Sequence, residues 1–206
     1  HTHQYTAPHT ATQHTVTATM ADTKNTRTDF LRTMNDQVPT FVQAMENALA
    51  DRFELDVSTL LADHVCWRTE TLEEYSGLVK ALKEGEDCTL LVESEVGGRP
   101  IAVFSLTKGI KVDGTRTISV IEIPAPKSGS VYRRGLEHVE FVIDDDSGAT
   151  GPLTPLNSQR HQSTFDAFMQ RYAKVPWDAK AKAKSINPDV SLKVELEQFG
   201  KCSVKF

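Results

Sequence analysis

Apolar residues along this chain follow first a helical spacing and then an alternating one. Over 28–53, Phe30, Leu31, Met34, Val38, Phe41, Val42, Met45, Leu49 and Phe53 recur every three to four positions, the mark of a helix with one buried stripe. Pro39 lacks an amide donor, so two helices meeting at that residue are expected. The spacing then shortens to two, and 61–68 (LADHVCWR) reads as a strand. Thr-Leu-Glu-Glu at 71–74 is a capping box, opening a helix that turns Leu72, Tyr75, Leu78, Val79 and Leu82 to one side and closes at Gly85. Extended segments follow at 88–95, at 99–107 after the Gly97-Gly98 turn, and at 117–124.

The same order then recurs in weaker form. Residues 136–143 (LEHVEFVI) read as a strand, and 163–173 as a helix presenting Phe165, Phe168, Met169 and Tyr172; 190–197 and 202–206 read as closing strands. A long Gly/Pro loop covers 144–157, and the second strand of this half has no clear signal. The pattern predicts an α+β chain of two βαβββ modules, 57–130 and 131–206, preceded by helices over 28–56. Residues 1–27 are left as a tail. Its first nineteen are rich in Thr and His and lack both the apolar stretch of a signal peptide and the arginines of a transit peptide; Met20-Ala21 reads as a natural start.

Composition narrows the function classes. Hydrophobic content of 39% and charged content of 25% suit a soluble globular protein. No apolar run approaches the roughly 20 residues of a membrane helix. A net charge of −5 argues against nucleic acid as partner, and the lysines of 174–184 are broken by Pro176 and Asp178 into a solvated loop. Cys66, Cys88 and Cys202 are odd in number, far apart and form no CxxC, which favours a reducing, cytoplasmic setting.

Candidate chemistry sits on the two His-bearing strands, which share an acid-His-Val run: Asp63-His64-Val65 and Glu137-His138-Val139. Alternation puts His64, Cys66 and Arg68 on one face, opposite Val65 and Trp67, and His138 with Glu140, opposite Val139, Phe141 and Ile143. A face carrying such groups is open to water or lines a cavity. Glu122 lies in a run apolar on both sides, where an ionised carboxylate is costly unless paired or metal-bound. Two imidazoles and a carboxylate (His64, His138, Glu122) suit a divalent transition metal with open positions left over. Plainer readings stand beside this one. A strand His is commonly a hydrogen-bonded structural residue, Glu122 could pair with Arg68 or Arg99, and Glu140 could be a ligand or an outer partner of a bound His.

At these residues the sequence resembles the YecM family, a branch of the vicinal oxygen chelate (glyoxalase/bleomycin-resistance/dioxygenase) superfamily. The matching stretches are 60–68 (LLADHVCWR), 97–106 (GGRPIAVFSL), 118–126 (ISVIEIPAP) and 135–143 (GLEHVEFVI), with Asn187-Pro188 and 203–206 (SVKF). The resemblance implies a mixed sheet curled into a U-shaped cup, with ligands from the first strand of each module (His64, His138) and from a last strand (Glu122). Its fourth ligand position falls near Lys205 and Phe206, where no carboxylate stands, and the family pattern continues past the last residue of this sequence. It also implies a divalent ion (Zn, Ni, Mn or Fe) that chelates a small substrate, as in metal-dependent isomerases, lyases or dioxygenases. Arg68 would hold an anionic group and Glu140 would act as general base. The alternatives are a binding or sequestering protein without turnover and a metal-free relic of the fold. A monomer or homodimer with a small-molecule ligand is expected.

Overall fold

The computed structural model describes residues 20–143, 155–183 and 188–206. The Thr/His-rich segment before Met20, most of the 144–157 loop and Asn187 lie outside the described residues. The element order is α1 (Met20–Phe53), β1 (Leu61–Arg68), α2 (Leu72–Lys83), β2 (Cys88–Glu95), β3 (Pro100–Lys111), β4 (Thr117–Pro124), β5 (Gly135–Val142), α3 (Pro155–Arg171), β6 (Ser191–Leu196) and β7 (Gly200–Lys205).

The strands form one mixed sheet in the order β2-β3-β4-β1-β5-β7-β6. β1 pairs parallel with β4, β5 pairs parallel with β7, and β1 joins β5 antiparallel. The first module is therefore complete, and the second contributes β5, α3, β6 and β7 among the described residues. Among the described residues, the remaining strand of the second module is reduced to an antiparallel bridge between Asp178 and Ser191, the first residue of β6. The segment beside that bridge holds Pro176 and the lysines Lys174, Lys180 and Lys182, which do not favour a half-buried ladder. Trp177 packs instead on Phe168 and Phe206.

Cross-strand register decides which side chains share a face. Phe104, Ile121, Val65, Val139, Val204 and Leu192 pair in sequence across six strands and are all buried. Each contributes roughly 1.5–3 kcal/mol by leaving water. Helix α1 covers this face, touching α2, β3, β5 and β6, and buries Phe30, Met34, Val38, Phe41, Val42, Met45 and Leu49 against it. Two expectations change here. The helix starts at Met20, inside the stretch left to the tail, and it runs through Pro39 without dividing. The missing amide is offset because Met34, Val38, Phe41 and Val42 continue the buried stripe on both sides of the proline.

Helix α2 begins as the sequence predicts. The Thr71 hydroxyl accepts from the Glu74 amide at 3.0 Å, and the Glu74 carboxylate accepts from the Glu70 amide at 2.8 Å.

Candidate metal centre

The face opposite the core carries two adjacent rows. One runs Val120, His64, Glu140, Lys205 and the other Glu122, Cys66, His138, Ser203, each across β4, β1, β5 and β7. His64, Glu122, His138 and Glu140 therefore come together on one polar face. Arg68 lies further along β1.

Each His-bearing strand carries one extra residue. Between Ala62 and His64, β1 takes two steps against one on β5, so Asp63 is extra; between Leu136 and His138, β5 takes two steps against one on β1, so Glu137 is extra. Regular alternation would put each acid on the core side, and the bulge brings it round beside its own histidine. Asp63 Oδ2 meets His64 Nδ1 at 2.9 Å, and Glu137 Oε2 meets His138 Nδ1 in a short contact. In the neutral ring each carboxylate favours the proton on Nδ1, which leaves Nε2 with a lone pair.

Both Nε2 atoms are buried and make no hydrogen bond among the described residues. The rings stand edge to face with centroids 5.6 Å apart. Glu122 Oε1 lies 4.0 Å from His138 Nε2, and Glu140 Oε2 lies 3.7 Å from His64 Nε2. His64, Glu122 and His138 offer ligand atoms that all lie within 4.8 Å of one another. An ion with bonds of about 2.0–2.2 Å sets its ligand atoms roughly 3–3.5 Å apart, so modest side-chain rotation closes the set.

A second group, Cys66, Glu137 and His138, is equally close. Its carboxylate is otherwise engaged. Glu137 already accepts from His138, from Arg68 Nη2 at 3.0 Å and from Ser203 Oγ at 3.3 Å. Burial, with the charges of Glu122 and Glu137, pushes the Cys66 thiol well above its ordinary range. The first group is the better one.

The two imidazoles titrate differently. Burial pulls both down. At His64 the Asp63 hydrogen bond and the charges of Glu140, Glu122 and Asp63 prevail, and its pKa is raised. At His138 burial prevails, Lys205 adds to it, and the pKa is lowered despite Glu137 and Glu122. Burial would raise Glu137, but the His138 hydrogen bond and the positive charges of His138, Arg68 and Lys205 hold it at about 2.

Three features depart from the sequence reading. Glu122 is not fully buried, its side chain being 20% exposed, because it projects from β4 on the polar face. It pairs with neither arginine: Arg68 bonds Glu137 and lies 4.5 Å from the Tyr132 ring centre, while Arg99 Nη1 donates to the Ala125 carbonyl. The third is Lys205, half-buried in line with Glu140 and His64, which the sequence marks as a position without a carboxylate and nothing more. Asp63 and Glu137 as ring-orienting acids left one sequence signal, the repeated acid-His doublet.

The YecM protein family model matches residues 31–206. The chain belongs to the YecM family. Protein YecM of Escherichia coli K12 is 30% identical over 122 residues, 57% of this chain and 61% of that one. An uncharacterized protein of Haemophilus influenzae is 30% identical over 96 residues, 46% of this chain and 48% of its own. The chain thus aligns with less than two thirds of either curated relative's length. A structural-genomics structure, Protein EC4020, shares the fold at TM-score 0.59, with 22% identity over 94% of this chain and 92% of that one. A methylmalonyl-CoA epimerase structure aligns with 71% of this chain and 94% of its own at TM-score 0.41 and 13% identity, too distant to bear on the site. Among the described residues of this YecM-family chain, no helix is long and apolar enough to cross a membrane.

Proposed function

We propose that this YecM-family protein binds one divalent metal ion through His64 Nε2, His138 Nε2 and Glu122, and presents it to a small molecule with neighbouring oxygens. One observation carries the reading: two buried Nε2 atoms, their rings pinned at Nδ1 by neighbouring acids, converge with a carboxylate and have no hydrogen-bond partner among the described residues. A structural histidine in a sheet uses both nitrogens, and each orphaned acceptor costs about 1–3 kcal/mol. A cation removes that cost twice over.

Charge supports the same reading. The charged groups acting on the two rings are Asp63, Glu122, Glu137 and Glu140 against Lys205, with Arg68 on Glu137. Four formal negatives against two positives leave an excess of two, which one divalent ion neutralises. Imidazole and carboxylate donors suit Zn, Ni, Mn or Fe rather than Mg or Ca.

Such an ion supplies Lewis acidity toward substrate oxygens. The chain's own groups would do the rest. Glu140 stands on the His64 side of the site with no bond to a lysine or arginine among the described residues, placed to take a proton from a bound molecule. Arg68 keeps the Glu137 carboxylate, and through it the His138 ring, in position. A sequestering protein would use the same face without turnover, and turnover of a chelating substrate separates the two. Cys66, Cys88 and Cys202 are buried free thiols, which supports a reducing, cytoplasmic location.

The test is metal analysis of protein purified without a His tag and trimmed of residues before Met20. About one equivalent of ion per chain is expected, lost in both His64→Ala and His138→Ala with circular dichroism retained. Wild-type protein that takes up no ion under any condition ends the reading.

A further inference from the structure

The two parallel strand pairs are related by the repeat, and their registers align residue for residue. Val65 pairs with Ile121 in the first module, and Val139 pairs with Val204 in the second. One residue on, Cys66 pairs with Glu122 and Glu140 pairs with Lys205. Lys205 is therefore the second-module counterpart of Glu122. Where a symmetric site would place a second carboxylate, this chain places an ammonium.

An ammonium cannot ligate a cation, so its presence needs another account. The Lys205 ammonium makes no hydrogen bond, and no ion pair within 4 Å, among the described residues, whereas Arg68 and Arg99 are both engaged. Its neighbours in register are Glu140 and Ser191, and His64 lies beyond Glu140 in the same row. Burial disfavours its charge, but Glu122, Glu140 and Asp189 outweigh that and raise its pKa, so it stays cationic. A charged ammonium with no bond of its own among the described residues, in line with a cluster that would hold a metal, is suited to an anionic group on whatever the metal chelates.

We propose that Lys205 is the anion-recognising residue of this site and that the ligand is a small molecule bearing a carboxylate beside its metal-chelating oxygens. The inference rests on the metal reading above and gives it a substrate class. Replacing the symmetric carboxylate by lysine limits the protein to three ligands and turns the vacated quadrant into a charge-selective one.

The test uses two titrations on the wild type, Lys205→Met and Lys205→Arg. Co2+ uptake is followed by visible absorption. Oxalate, a dianion, and dihydroxyacetone, a neutral molecule with neighbouring oxygens, are then titrated by calorimetry with and without Co2+. In Lys205→Met, cobalt binds at least as tightly, because a like charge is gone. Oxalate weakens roughly 10- to 100-fold, while dihydroxyacetone changes less than about threefold. Lys205→Arg retains oxalate binding. Equal oxalate affinity in wild type and Lys205→Met overturns the assignment, as does parallel weakening of oxalate and dihydroxyacetone, which marks a structural role. Absence of cobalt uptake by the wild type sinks the metal reading instead. The metal-free oxalate titration then decides Lys205 by itself: Lys205-dependent binding supports the anion role, and its absence overturns it.

Discussion

A histidine in a folded interior ordinarily spends both ring nitrogens, and His64 and His138 spend one each. What fixes their rings is the residue immediately before each. Glu137→Gln is expected to weaken metal binding by about 10- to 100-fold while leaving the sheet intact, since outer partners of a ligating His commonly carry that much. Asp63→Asn should act in the same direction but less strongly, because Asp63 is more exposed than Glu137. Calorimetric titration with Zn2+ checks both. Glu137 also leaves a signature without metal. Its pKa is held at about 2 against an ordinary 4.5, so its stabilising contribution is complete above pH 4.5 and is lost as pH falls toward 2. Urea unfolding at stepped pH should lose up to about 3 kcal/mol across that window in the wild type and little of it in Glu137→Gln. The acid-His-Val doublets were legible as a repeat, but strict alternation assigns Asp63 and Glu137 to the core face. Only the bulges bring them beside the histidines, and no glycine or proline at 63 or 137 announces a bulge.

At the scale of the element, α1 shows how packing overrides a local rule. Pro39 removes the amide that would bond the Asn35 carbonyl, yet one helix spans Met20–Phe53 because its apolar stripe is buried on both sides of that point. The proline is tolerated at a cost. Pro39→Ala should raise stability by roughly 1–3 kcal/mol, shifting the midpoint of thermal unfolding upward by about 2–4 °C per kcal/mol for a chain of this size. An unchanged or lowered midpoint would mean that the ring packs better than the lost bond costs. Strands β1 to β5 were legible to within a few residues, β3 and β5 because they alternate over a buried face, and α2 because its cap is written in side chains. The second module was less so. Where the first module has β2, the second has a one-bridge contact at Asp178, and a bridge leaves no periodicity to read.

Across the whole molecule, the pairing of β1 with β5 makes the site a seam between modules. The first supplies Asp63, His64, Cys66 and Glu122, and the second supplies Glu137, His138, Glu140 and Lys205. The matched positions agree in the acid and the histidine and diverge in the other two, so the chemistry lies in what the repeat does not share. An ion held by His64 and Glu122 on one side and His138 on the other ties the modules together only in the folded state. It should therefore stabilise by mass action, about 2.7 kcal/mol at a free-ion concentration 100 times Kd. For a chain of 206 residues that amounts to roughly 5–10 °C in Tm. Thermal unfolding with saturating Zn2+ and with EDTA should differ by that margin in the wild type, and EDTA added to the zinc-loaded protein should reverse the gain. His138→Ala should lose the difference, because the first module alone retains one imidazole and one carboxylate. If His138→Ala keeps the full zinc-dependent shift, the ion lies elsewhere, and the seam between β1 and β5 is held by side-chain packing and strand pairing alone.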